Sequence, residues 1–119
     1  MTLNGNFEPL VIDQRKVDFR LLMYRKGKED IHIRAIYFGL SNSYFFMADD
    51  IFKYLSISKD DVPPEYVTKA VIKDDILIYP RDIILIISYK NLSKFLTERK
   101  DTEFLKWFNK IGQITVNLN

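Results

Sequence analysis

Three observations predict a small α+β domain, built as an N-terminal antiparallel β-hairpin or sheet with about three short helices packed on it. Apolar and polar residues alternate through Val17–Tyr24 and again through Ile31–Phe38, on either side of a charged turn that contains Gly27. An aromatic run, Tyr44-Phe45-Phe46-Met47, passes without a loop into Ala48-Asp49-Asp50-Ile51, where acidic residues suit the positive end of a helix. Near the end of the chain, Phe104, Leu105, Trp107, Phe108 and Ile111 recur as one stripe of a helix. With 119 residues, 47% apolar and 29% charged, the chain has the size and composition of one globular domain rather than of a disordered tail.

Residues 1–16 mix Asn, Gly and Pro with isolated apolar side chains, the composition of an arm that is loosely ordered unless it docks on the body. The domain proper is expected over residues 17–114, with residues 115–119 as a tail. In the first strand the alternation places Val17, Phe19, Leu21 and Met23 on one face and Asp18 and Arg20 on the other. Arg25-Lys26-Gly27-Lys28-Glu29-Asp30 makes the turn, and Ile31–Phe38 returns. Gly39-Leu40-Ser41-Asn42-Ser43 breaks the second strand, and Tyr44–Met47 pairs back before a helix of roughly Asp49–Ser56, with Asp49 or Asp50 accepting from its first free amides. Pro63-Pro64 ends that run. Glu65–Ile72 reads either as a short helix opened by Pro64 or as a strand entered at Val67. Ile76–Tyr79 reads as a short buried strand, followed by a helix opened by Pro80 that turns Ile83, Ile84 and Ile87 inward. Ser88–Lys100 is a polar, part-helical connection. The last helix spans Thr102 to about Ile111, capped by Asp101 or Thr102 and stopped by Gly112.

Signatures of catalysis are lacking. The chain has no phosphate-cradling GxxxxGK[ST], no GxGxxG, no GxSxG elbow and no HExxH helix, and the absence of Cys excludes disulfides and thiolate chemistry. The one histidine, His32, stands on an alternating strand without partners visible in the sequence, so a surface role outweighs a catalytic or metal-binding one. The pairs Asp49-Asp50, Asp60-Asp61 and Asp74-Asp75 sit where helices start or turns are expected, and capping outweighs metal binding or acid-base work. A non-enzyme without cofactor or metal is the expectation. The longest apolar run, Ile83–Ile87, falls far short of the ~20 residues that cross a bilayer. The first residues lack the pattern of a secretory signal, so an intracellular protein with no membrane partner is expected.

The net charge of +2 is too small to draw polyanions to the whole molecule, so clustering decides. Arg20, Arg25, Lys26, Lys28 and Arg34 concentrate on the hairpin, where a twisted two-stranded ribbon can bring cations to phosphates or a groove. Asp18, Glu29 and Asp30 dilute that set. Lys90, Lys94, Arg99 and Lys100 form a second basic group before the last helix. Trp107 reads as a core anchor before a base-stacking platform.

The block Tyr44-Phe45-Phe46-Met47-Ala48-Asp49-Asp50-Ile51-Phe52-Lys53-Tyr54-Leu55-Ser56-Ile57 resembles the "WFVAKDVAxxLGY" block of the BRO-N domain, found in baculovirus repeated ORF proteins, other large DNA viruses and phage antirepressors. Ile76–Tyr89 and Thr102-Glu103-Phe104-Leu105-Lys106-Trp107-Phe108 are similar to the later strand, helix and "EFxxWV" helix of that family, so the likeness spans about residues 17–114. Tyr44 stands for the family's tryptophan, Asp49 for its lysine, and Asp82-Ile83-Ile84 for its "GLY", changes that keep apolar packing and remove a basic charge and a Gly. The resemblance implies nucleic-acid binding, DNA in the first place, and regulation of viral or host gene expression in the host nucleus or cytoplasm. It transfers no contact residues, because its motif reads as core and caps. The alternative is a protein-interaction or virion-associated module, or a homo-oligomer, with exposed aromatics such as Tyr24, Tyr37 or Tyr44 serving a partner.

Overall fold

The computed structural model describes residues 9–73 and 83–118, the last eight by their backbone alone. Strand β1 (Leu10–Asp13) leads through a 3-10 turn, Gln14–Lys16, into the hairpin of β2 (Val17–Lys26) and β3 (Glu29–Phe38). Strand β4 (Ser43–Met47) runs straight into helix α1 (Ala48–Leu55). Two further 3-10 turns, Lys59–Asp61 and Pro64–Tyr66, precede β5 (Thr68–Lys73); β6 (Ile84–Ser88), α2 (Tyr89–Glu98) and α3 (Glu103–Leu118) follow. The strands form one six-stranded sheet in the order β1-β5-β6-β4-β3-β2, antiparallel except where β1 runs parallel to β5. The α+β class read from the sequence is the one observed.

The hairpin closes on Gly27-Lys28 between the paired residues Lys26 and Glu29. Gly27 takes φ +66° at the first central position, the place of Gly in a II′ turn, whose twist matches that of the flanking strands. The register Leu22↔Ile33 and Tyr24↔Ile31 puts these four side chains on one face, together with Ala35. That face meets the helices: Tyr24 lies 5.7 Å from Tyr54 of α1, and 5.5 Å and 5.0 Å from Phe104 and Trp107 of α3, ring centre to ring centre. Phe46, Ile51, Ile87, Leu92, Leu96 and Phe104 are sealed in the same cluster.

The other face of the sheet makes a second core. A flat sheet of six strands separates its edge strands by about 24 Å, whereas the three residues joining Asp13 to Val17 allow at most about 15 Å. The sheet therefore curls until its two edges approach. Ile12, Ile36, Ala70 and Ile86 are buried inside the curl, and Val17, Phe38, Phe45, Met47, Ile72 and Ile84 pack against them.

Several expectations need correction. Leu10–Asp13 of the expected arm is a docked strand, paired with Ala70–Lys73. On β2 the side chains of Leu22 and Tyr24 enter the helix-covered core, while Phe19, Leu21 and Met23, the apolar set read from the alternation, are 55–57% exposed. Tyr54, Phe104 and Trp107 form a cage of rings around Tyr24 on the helix-covered side. Ile83, Ile84 and Ile87 do not lie on a helix, since Ile84–Ser88 is a strand between β4 and β5. Its β-branched run fits a sheet buried on both faces. Ser88–Lys100 holds a full helix, Tyr89–Glu98, whose first turn is capped where the Ser88 hydroxyl accepts from the Asn91 amide at 3.1 Å. Gly112 does not stop the last helix, which continues to Leu118. Glu65–Ile72 turns out to hold both alternatives, a 3-10 turn from Pro64 and then a strand from Thr68. The expected strand Ile76–Tyr79, the helix start at Pro80 and the pair Asp74-Asp75 lie outside the described residues.

Candidate interaction surface

The β2–β3 ribbon carries all five cations singled out in the sequence, and strand alternation divides them. Arg20 and Lys26 point to the helix-covered face, Arg25 and Arg34 to the opposite one, and Lys28 sits in the turn. Arg20 is largely covered: its guanidinium lies 4.5 Å from the centre of the Tyr37 ring, donates to the Tyr44 hydroxyl and stands 3.5 Å from the Asp18 carboxylate. Arg25 faces Asp30 at 3.6 Å. The Lys26 ammonium lies 5.6 Å from the centre of the Tyr54 ring. Lys28 is exposed.

Arg34 is tied most firmly. Its backbone N–H donates to Asp50 at 2.8 Å and its guanidinium makes a fork on the same carboxylate at 2.9 and 3.0 Å. Burial pushes the Asp50 carboxyl up, but the side-chain and backbone bonds from Arg34 outweigh it and leave the group below the usual carboxylate range. This overturns the expected cap. The residue before α1 is Met47, which offers no side-chain bond, and Asp50 in the first turn reaches sideways to clamp the helix start onto β3. Asp60-Asp61 do serve the turn that contains them, where Asp61 completes a capping box with Ser58.

Between the outer half of the ribbon and α1 lies a polar cleft of about 690 Å³. Lys26, Arg34 and Lys53 line it beside His32, but Glu29, Asp30 and Asp50 line it too, so carboxylates match the permanent cations one for one. Among the described residues no group of three or more His, Asp or Glu side chains is placed to hold a metal ion.

A second feature was not singled out in the sequence. Phe19, Leu21 and Met23 form an exposed apolar row on β2, and Phe19 and Leu21 continue into a groove of about 420 Å³ lined by Ile36, Met47, Ile72 and Ile84. The sequence held a signal for it: β2 is apolar at both parities, Leu22 and Tyr24 as well as Val17, Phe19, Leu21 and Met23, so each face of the strand is built for contact. The exposed aromatics expected to serve a partner are elsewhere engaged. Tyr24 is 5% exposed, while the tilted rings of Tyr37 and Tyr44 pack against each other with centres 4.7 Å apart and are partly covered. Trp107 is an anchor of the core, 5.6 Å from Phe104.

Strand β2 is also an edge of the sheet, and among the described residues no strand pairs with its outer side. In a two-residue hairpin the closing pair, here Lys26 and Glu29, is hydrogen bonded, so even-numbered residues of β2 direct their amides and carbonyls to β3. The odd-numbered residues direct theirs outward. The backbone groups turned to the open edge therefore belong to Phe19, Leu21 and Met23, the residues whose side chains are exposed. No family model matches the chain, and no curated protein or solved structure matches it. No helix among the described residues is long and apolar enough to cross a membrane.

Proposed function

We propose that the chain is a non-catalytic protein-interaction module on a BRO-N-like scaffold of viral origin, acting inside the host cell, and that β2 is its contact strand. The single observation carrying this reading is the coincidence, on one edge strand, of three apolar side chains more than half exposed and the outward backbone groups of the same three residues. Strand addition uses both, the backbone for affinity and alternate side chains for specificity. Proximity labelling in infected or transfected cells tests it. Leu21→Glu is expected to erase the set of labelled neighbours while Lys28→Ala leaves it intact; a set indifferent to Leu21→Glu refutes the reading.

A second reading, nucleic-acid binding in gene regulation, is favoured by one observation. Strand β4 pairs with β3 only over Ala35–Phe38, so the outer half of the hairpin projects as a two-stranded ribbon with Arg25, Lys26 and Lys28 exposed around its tip. Such a ribbon fits a major groove. In this reading Arg20 and Arg34, held by Tyr44 and Asp50, support the ribbon rather than touch phosphates. Replacing Arg25, Lys26 and Lys28 together with Ala should then weaken a gel shift and flatten its salt dependence by the loss of up to three released counterions. An unchanged salt slope refutes it.

A further inference from the structure

We propose that the chain pairs with a second copy of itself, β2 against β2, in antiparallel register about a two-fold axis through Leu21. This rests on the reading of β2 as a protein-contact strand and names the partner.

The argument is one of self-complementarity. A closed two-fold interface brings one patch onto its own image, so the patch must match itself when reversed. The three exposed apolar residues stand at 19, 21 and 23, evenly about Leu21 and near the middle of Val17–Lys26. Centring the axis there sets Leu21 against Leu21 and Phe19 against Met23 of the second copy, twice over. These are all odd-numbered residues, whose amides and carbonyls already face outward, so the same register makes each of them a hydrogen-bonded pair. A shift of the axis to Leu22 would set Phe19 against Arg25 and lose that match. In the proposed register Asp18 comes diagonally beside Lys26 of the second copy, a favourable cross-strand contact. The two Arg20 residues become diagonal neighbours as well, and each is already drawn back over its own Tyr37 and Tyr44 rings.

The edge itself lacks the usual protection. Long edge strands are ordinarily blunted by Pro, by a bulge or by a charge on the exposed apolar face. Strand β2 pairs with β3 without a break over ten residues, contains no Pro, and its apolar row of Phe19, Leu21 and Met23 is uninterrupted by charge. In this register residues 17–25 of each copy pair, nine residues that make a seam about 30 Å long and one sheet thick, on the order of 300 Å² of flat face per copy, which belongs with the weak, reversible interfaces. A dimer that forms with rising concentration is the expectation.

Sedimentation velocity of the full chain from about 5 to 500 µM should show a monomer–dimer shift, abolished by Leu21→Glu, which sets two like charges together on the axis. Circular dichroism of that variant should be unchanged, because Leu21 is already 56% exposed. The chain has no Cys, so register can be read by single cysteines. Leu21→Cys should cross-link under mild oxidation far faster than Leu40→Cys, which is 97% exposed but lies in the β3–β4 turn beyond the Val17 end of β2, so that the two copies carry it at opposite ends of the seam, since an antiparallel bonded pair holds its Cα atoms about 5.5 Å apart, within disulfide reach. Equal cross-linking of the two variants, or a monomer at every concentration, overturns the proposal. A labelled decapeptide of alternating Val and Thr then separates the causes. If the monomer binds it and Leu21→Glu does not, the contact strand stands and only the second copy falls; if neither binds, both fall.

Discussion

Tyr24 and Met23 are neighbours in one strand and both are large and apolar, yet Tyr24 is 5% exposed and Met23 57%. The difference is the covering. Tyr24 turns to the side where α1 and α3 bring Tyr54, Phe104 and Trp107, and Met23 turns to the open side of the curl. The same strand thus contributes to folding through one face and leaves the other available. Apolar area withdrawn from water stabilises the fold at roughly 25 cal/mol per Å², so Tyr24 on the covered face contributes far more to the stability of a single copy than the exposed row does.

Four substitutions sharpen that contrast. The largest effect belongs to the covered side: Phe104→Ala, at a position 0% exposed, should lower the unfolding free energy by about 3–5 kcal/mol in urea titrations. Asp50→Asn, which weakens the clamp on α1, should cost about 1 kcal/mol, a modest figure because the Arg34 side chain is 58% exposed and its ion pair is screened. The sign with pH follows from the Asp50 carboxyl lying below its ordinary range. Its stabilisation is present above the unfolded value of about 3.9 and is lost as pH falls through the folded one. The melting temperatures of the wild type and Asp50→Asn should therefore converge on acidification.

Asp13 behaves in the same sense. Bonds from Arg15 hold its carboxyl down to about 2, so the contribution it makes to the β1 end survives to lower pH than an ordinary carboxylate would allow and fades as pH falls from about 4 toward 2. Gly27→Ala meets no atom within 4 Å but must adopt φ +66°, and a loss of about 1 kcal/mol is expected from backbone strain alone. The smallest effect belongs to the open side. Phe19→Ser, measured in dilute protein, should stay within about 0.5 kcal/mol of wild type. A loss comparable to that of Phe104→Ala would show that the row is part of the core and end the contrast between the two faces.

Much of the architecture was legible because local patterns agreed with it. The Gly27 hairpin, the junction from Tyr44–Met47 into a helix and the stripe of Phe104, Leu105 and Phe108 each combine periodicity with a fitting turn or helix start. What escaped was set by distant partners. Alternation in β2 shows that residues 19, 21 and 23 share a face but not which face the helices will cover. Ile83–Ile87 is compatible with either a buried helix or a buried strand, and only its place between β4 and β5 decides. The cations were legible by position, whereas their carboxylate partners were not: Asp50 lies sixteen residues from Arg34 in the chain and meets it only once β4 has brought α1 alongside β3.

The short link between β1 and β2 has a consequence for how the molecule assembles. Strands β2 and β3 can zip together across two residues, but β1, although it precedes them, must wait for β5, whose Ala70 lies sixty positions after Leu10. Contacts so remote in the chain are closed late, because the entropy of the intervening loop is lost before they are rewarded. During synthesis β1 therefore stays unpaired after the hairpin behind it has closed, and it is seated only once β5 has taken its place in the sheet.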